Sequence, residues 1–242
     1  MSAPQPRIVV LPNAAAVAEA AAAHLVARLG DAPDPPAACL TGGASPKRLY
    51  QLLATPPWRA KIAFDRVQWY IGDDRFVPQS DPLSNMGMAR AAFLDACAPA
   101  ANIHPIDTAA PTIEAAAQRY EDELARLKQR RGAELLFDVV LLGLGLDGHV
   151  ASLFPGSHAL HESRRAAVGI DHADVAPFVP RVSLTLPALA QSREILFIVT
   201  GEAKRDIARR VLAGEDLPAG RVTGAGEVVW LFDAAAAPPE AT

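Results

Sequence analysis

The 242-residue sequence predicts an α/β fold of three layers, with a mainly parallel sheet flanked by helices on both faces. Three observations carry this expectation. Apolar strand-like runs alternate with amphipathic helical patterns along the chain. The runs at 137–142 and 194–200 are almost continuously apolar, as strands covered on both faces are. Several runs end in polar or glycine-rich segments, where open α/β sheets bind their ligands.

Taken in order, Arg7–Leu11 reads as a strand, and Asn13 caps a helix reaching Leu29 with Gly30 as its stop. Ala37–Leu40 is a second strand, followed by Thr41-Gly42-Gly43-Ala44-Ser45 and a helix from Pro46 to Leu53, proline being suited to a first helical position. Residues 67–71 form a third strand, which runs into Gly72-Asp73-Asp74-Arg75. Residues 84–97 and 112–131 read as helices, the second placing Ile113, Ala117, Tyr120, Leu124 and Leu127 on one face. Strands follow at 137–142, 166–170, 182–186 and 194–200, then a helix over 202–212 and a last strand at 228–232. Residues 233–242, rich in Ala and Pro, read as a frayed tail. No repeat or long linker divides the chain, so a single domain over 1–242 is expected.

Composition narrows the function classes. Half the residues are apolar, about a fifth are charged and the net charge is −4, which gives no electrostatic case for nucleic acid or an anionic membrane. Cys39 and Cys97 stand far apart without a C-x-x-C pair, so neither a disulfide framework nor a cysteine zinc site is expected. The Ala-rich run near the start carries Glu19 and His24 and reads as an amphipathic helix, not a leader or membrane span. The expected compartment is the cytoplasm, and the expected assembly a monomer or homodimer.

The chemistry gathers at four strand ends. Gly143-x-Gly145-x-x-Gly148 matches a dinucleotide fingerprint, but Pro155 and Gly156 interrupt the helix such a site needs. Asp147 and His149 occupy that turn instead, and an imidazole there suits general-base activation of water, oriented by a carboxylate. Whether Asp147 touches His149 is open at this stage. Gly42, Gly43 and Ser45 lie before a helix start and suit an anion, although Ser45 could serve only as an N-cap. The spacing is neither a Walker loop nor a nucleophile elbow. Arg75 could stabilise an oxyanion, grip a phosphate, or merely pair with Asp73 or Asp74. Asn85 reads as a helix-start residue that could also face the cleft, while Arg181 and Lys204 are candidate anion ligands if the loops converge. The six histidines form no metal set, and no metal or cofactor is expected.

Taken together, TGGASP at 41–46, GDDRFVP at 72–78, SNMGMAR at 84–90, GLGLDGHVASLFPG at 143–156, RVSLTLPAL at 181–189 and GEAK at 201–204 resemble the 6-phosphogluconolactonase family. The motifs follow that family's order across nearly the whole chain. The resemblance implies a Rossmann-like fold shared with glucosamine-6-phosphate deaminase and ribose-5-phosphate isomerase, and hydrolysis of 6-phospho-D-glucono-1,5-lactone. It implies His149, Asp147 and Arg75 as catalytic residues, Gly42, Gly43, Ser45, Arg181 and Lys204 around the phosphate, and Asp73 and Asn85 near the substrate. The deaminase has a similar loop but carries a glutamate where this chain has Phe154, so the lactonase reading is favoured. A non-catalytic sugar-phosphate sensor is the alternative from another class. One departure is Asp74, where lactonases commonly carry Glu.

Overall fold

In the computed structural model, which describes residues 6–132, 134–173 and 175–239, a six-stranded parallel sheet forms the centre. Its elements are β1 (Arg7–Leu11), α1 (Ala14–Gly30), β2 (Ala37–Leu40), α2 (Ala44–Leu53), β3 (Gln68–Ile71), β4 (Asp73–Arg75), α3 (Asn85–Ala89), α4 (Asp95–Cys97), α5 (Ile113–Arg131), β5 (Val139–Leu142), β6 (Ala167–Ile170), β7 (Arg181–Leu184), α6 (Leu186–Leu189), β8 (Glu194–Val199), α7 (Arg205–Leu212) and β9 (Glu227–Asp233). The main sheet runs β1-β9-β8-β5-β2-β3, with helices flanking it. The chain winds outward from β2 to β3, then returns to β5 on the other side of β2. That reversal opens a crevice beyond the carboxyl ends of β2 and β5, where open α/β sheets bind ligands. Both strands are buried along their whole length, as their apolar runs require.

A second sheet, β4-β7-β6, is antiparallel and stands apart from the first. Residues 73–75, read from sequence as part of a loop, form its β4. The pairing sets Arg75 opposite Arg181 and Asp73 opposite Ser183. Three polar residues in a row carry no strand signal of their own; the ladder with β7 makes them a strand.

Local chemistry sets most element ends. Asn13 accepts from the amides of Ala15 and Ala16 at the start of α1, and Thr112 accepts from Ala115 at the start of α5. Gly30 lies inside α1 instead of stopping it, with Asp31 as the cap. Helix α2 begins at Ala44, two residues before the expected Pro46, because Gly43 at φ 109° turns the chain into the helix. The helix expected over 84–97 is broken by a π-helical turn at Arg90–Leu94.

The tail is corrected over 233–237. Asp233 ends β9, and its carboxylate accepts from the amides of Gly201 and Ala236. Ala236 and Ala237 are buried in the core. Residues 240–242 lie outside the described ones. No helix among the described residues is long and apolar enough to cross a membrane.

A buried ion pair ties the sheet to α5. Arg131 Nη2 donates to both carboxylate oxygens of Asp138 at 2.8 Å, while Asp138 also accepts from the amide of Ala37. Both side chains are almost wholly excluded from solvent. Arg131→Met should therefore destabilise the protein by about 3–5 kcal/mol, because Asp138 keeps a buried, under-compensated charge. Urea unfolding measures this, and a loss below about 1 kcal/mol would contradict the argument.

Candidate active site

A cleft of about 760 Å³ opens at the switch point. Gly42, Gly43, Ser45, Asp73, Arg75, Asn85, Asp147, His149, Arg181 and Lys204 all line it, so the ten candidate catalytic and binding residues named from the sequence converge there.

The segment after β5 turns tightly. The Gly145 amide donates to the His149 carbonyl, and Gly148 takes φ +87°, a conformation that favours glycine. A methyl on Gly145 would lie 2.1 Å from His149 Nδ1, so only glycine lets the imidazole fold back over the turn. His149 Nδ1 meets Asp147 Oδ1 at 2.6 Å, which settles the contact that spacing left open. With Nδ1–H donated to the carboxylate, Nε2 keeps its lone pair. Burial acts to raise the Asp147 carboxyl, but the hydrogen bonds and charge of His149 outweigh it and hold the group below its ordinary value. Ala151, also on the cleft wall, takes the left-handed φ of 48°.

Asp73 and Asn85 join this loop to the smaller sheet. Ser152 Oγ donates to Asp73 Oδ2 at 2.6 Å, and the Ser152 amide donates to Ser183 Oγ on β7. Asn85 Nδ2 donates to the Asp73 carbonyl at 3.0 Å. A methyl on Gly42 would lie 2.0 Å from Asn85 Oδ1, so the Gly42 backbone approaches Asn85 as no other residue could.

Three cations face the cleft. Arg75 Nη1 donates to the Leu83 carbonyl, and Arg181 Nη2 to the carbonyls of Val175 and Pro177. The Nε of each arginine is buried without a hydrogen-bond partner among the described residues. None of Arg75, Arg181 and Lys204 has a carboxylate within salt-bridge distance among those residues, whereas Arg131 and Arg165 each pair with at least one carboxylate. Burial pulls the Arg181 guanidinium and the Lys204 ammonium below their ordinary values. Beside them, α2 begins with no side-chain cap, leaving first-turn amides of Ala44 and Ser45 at the cleft. Such an arrangement suits a dianion.

Sequence reasoning missed Thr200, whose Oγ1 lies 2.5 Å from Ser45 Oγ on the cleft wall. Its signal was a hydroxyl at the end of a buried strand, just before Gly201. Phe154 is fully buried beneath the site, its ring 4.9 Å from the His149 ring and 5.2 Å from the Arg181 guanidinium. Asp74 does not line the cleft. It accepts from Ser84 Oγ and from the amides of Arg75, Asn85 and Met86, which fixes the start of α3.

Fold and site together define an α/β protein with a cationic cleft and an Asp–His pair at its switch point. The chain belongs to the family described as glucosamine-6-phosphate isomerases/6-phosphogluconolactonase, whose model matches residues 12–230. It is 37% identical to a 6-phosphogluconolactonase of Streptomyces coelicolor, over 96% of this chain and 94% of that protein. The solved 6-phosphogluconolactonase of Trypanosoma cruzi superposes with TM-score 0.84 at 29% identity, covering 97% of each chain. A monomeric glucosamine-6-phosphate deaminase shares the fold with TM-score 0.79 at 21% identity, over 95% of this chain and 98% of that one.

The Asp74 carboxyl is pushed by burial from 3.8 up to about 6, against the pull of its hydrogen-bond donors. The folded chain thus holds this proton more tightly than the unfolded chain. The contribution of the group to stability is full below about pH 4 and is lost as pH rises through about 6. The stability difference between wild type and Asp74→Asn should shift in favour of the variant across that interval. A difference independent of pH, in urea unfolding at several pH values, would refute it.

Proposed function

We propose that this protein hydrolyses 6-phospho-D-glucono-1,5-lactone to 6-phospho-D-gluconate. The observation that carries the reading is the joining, in one cleft, of an Asp147–His149 pair with three cations that have no carboxylate within salt-bridge distance among the described residues. A lactone is an activated ester, so water suffices as nucleophile and no covalent intermediate is required.

Arg181, Lys204 and the loop of Gly42, Gly43 and Ser45 take the phosphate, with the first-turn amides of α2 as donors. Holding that end orients the distant carbonyl toward His149. Nε2 of His149 removes a proton as water attacks C1, and Asp147 stabilises the imidazolium that forms. Arg75 faces the oxygen that gains charge in the tetrahedral intermediate. That intermediate collapses with cleavage of the bond from C1 to the ring oxygen. The ring oxygen takes the proton back from His149, and the product carboxyl ionises to solvent. Asp73 and Asn85 contact substrate hydroxyls. A phosphorylated substrate cannot diffuse across a membrane, which supports a cytoplasmic place for the reaction.

Phe154 weighs against the deaminase reading, since deamination needs an acid–base group that an apolar buried ring cannot supply. Release of ammonia from glucosamine 6-phosphate would reverse that judgement, and phosphosugar binding without turnover would favour a sensor.

His149→Ala should lower kcat by about 10²–10⁴ over the spontaneous background. Near-wild-type turnover by the folded variant would remove His149 as the base. Gly145→Ala should cause a loss of similar kind, because its methyl displaces the imidazole from Asp147. Unphosphorylated gluconolactone should show a kcat/KM at least about 100-fold lower than the phosphorylated substrate. Equal values would remove the phosphate half of the site.

A further inference from the structure

Two buried tyrosines repeat one arrangement at two of the strand ends that feed the cleft. Tyr50, on α2, accepts from the Thr41 amide at 2.9 Å and donates to the Thr41 carbonyl at 2.8 Å. Tyr120, on α5, accepts from the Ile71 amide at 3.0 Å and donates to the Ile71 carbonyl at 2.7 Å. Each hydroxyl thus satisfies both backbone groups of a single residue, as a neighbouring strand would.

Topology explains the need. The described pairing of β2 with β5 ends at Cys39 and Val140, although β5 continues to Leu142, so the ladder no longer serves Thr41 on that side. β3 is the edge of the main sheet, and every second residue turns its amide and carbonyl outward. At Trp69 those groups meet a bridge with the segment at Ile103 and the His104 amide. Two residues on, at Ile71, no strand among the described residues pairs with this edge, and the Tyr120 hydroxyl takes its place. Buried backbone groups left unpaired would cost stability and let the strand ends wander.

The residue held in each case is the last before a functional segment. Thr41 leads directly into Gly42, Gly43 and Ser45. Ile71 leads through Gly72 into Asp73 and Arg75. We propose that Tyr50 and Tyr120 are positioning residues that each fix one half of the site: Tyr50 the anion loop, Tyr120 the arm that carries Asp73 and Arg75. The division of labour rests on the lactonase reading given above, whereas the bracing itself does not. Burial pushes both phenols far above their ordinary range, so each remains a donor at any working pH.

Tyr50→Phe and Tyr120→Phe remove one oxygen each and leave the rings in place, so a purely structural role would affect both variants alike. Tyr50→Phe should raise KM for the phosphorylated lactone about tenfold with kcat held within about twofold, and leave unphosphorylated gluconolactone unaffected. Tyr120→Phe should lower kcat about tenfold on both lactones with little change in KM. Parallel losses of kcat and KM in both variants, or wild-type kinetics in both, would overturn the assignment. Amide hydrogen exchange supplies a readout that needs no activity. Exchange should quicken over residues 41–45 only in Tyr50→Phe and over 71–75 only in Tyr120→Phe, and binding of inorganic phosphate should weaken only in the first. If wild type proves unable to hydrolyse the lactone, the reaction assignment falls while this pattern still decides the bracing. Unchanged exchange in both variants would overturn it. Should a variant not fold, the wild type remains decisive: the Thr41 and Ile71 amides must exchange as slowly as those of β5, and solvent-like exchange at either refutes the proposal.

Discussion

Two arginines stand opposite each other in the β4–β7 ladder, and no carboxylate among the described residues lies within salt-bridge distance of either one, their side-chain hydrogen bonds going to backbone carbonyls. Like charges directly across an antiparallel pair are destabilising, and each of these guanidinium groups also buries an unpaired Nε. A fold that sought stability alone would place an acid between them. The rest of the site follows from tolerating that repulsion: the small sheet has to be held from outside by something other than its own side-chain pairs. The extensive apolar core of the main sheet supplies the stability against which this local cost is set.

The hold comes from polar contacts that cross between the two sheets. Asp73 binds Ser152, on the loop after β5 that carries Asp147 and His149, and Asn85 at the start of α3, while Ser183 on β7 accepts from the Ser152 amide. Asp74 gathers four donors on the other side of β4. Adjacent acids therefore divide the work, one facing the cleft and one anchoring α3. The shorter acid at position 74 is consistent with this, since a group embedded among fixed amides needs a matched reach more than it needs contact with ligand. Glycines complete the fit, because Gly42 and Gly145 let Asn85 and His149 approach the backbone where any side chain would collide.

What was legible in the sequence follows the same physics. β5 and β8 are continuous apolar runs, and burial on both faces leaves that mark regardless of neighbours. Convergence of the site was legible because the functional segments, Arg181 at the start of β7 apart, follow a strand end or open a helix. β4 was not, since nothing in Asp-Asp-Arg favours a strand until β7 lies beside it. The direct contact of Asp147 with His149 depends on the backfolded turn, and two-residue spacing is compatible with either outcome. Thr200 was hidden in the same way, its hydroxyl acquiring meaning only once Ser45 lies 2.5 Å away. The tail at 233–237 looked unstructured by composition, but small residues pack closely, and the Asp233 carboxylate gives the chain a fixed point.

Phe154 shows why an apolar residue can matter as much as the charged ones it touches. Its ring lies against both the imidazole of His149 and the guanidinium of Arg181. A carboxylate in that position would reach the same two groups. It would pair with Arg181 internally, weakening the pull of that cation on a ligand anion, and it would stabilise the protonated imidazole, which cannot act as a base. An aromatic face attracts the guanidinium without neutralising it and offers the imidazole no proton acceptor. On the proposed mechanism, Phe154 there keeps the positive field directed into the cleft and leaves His149 free to accept a proton from water. A single buried side chain thus separates the electrostatics needed for hydrolysis from those needed for an acid–base relay on the same fold.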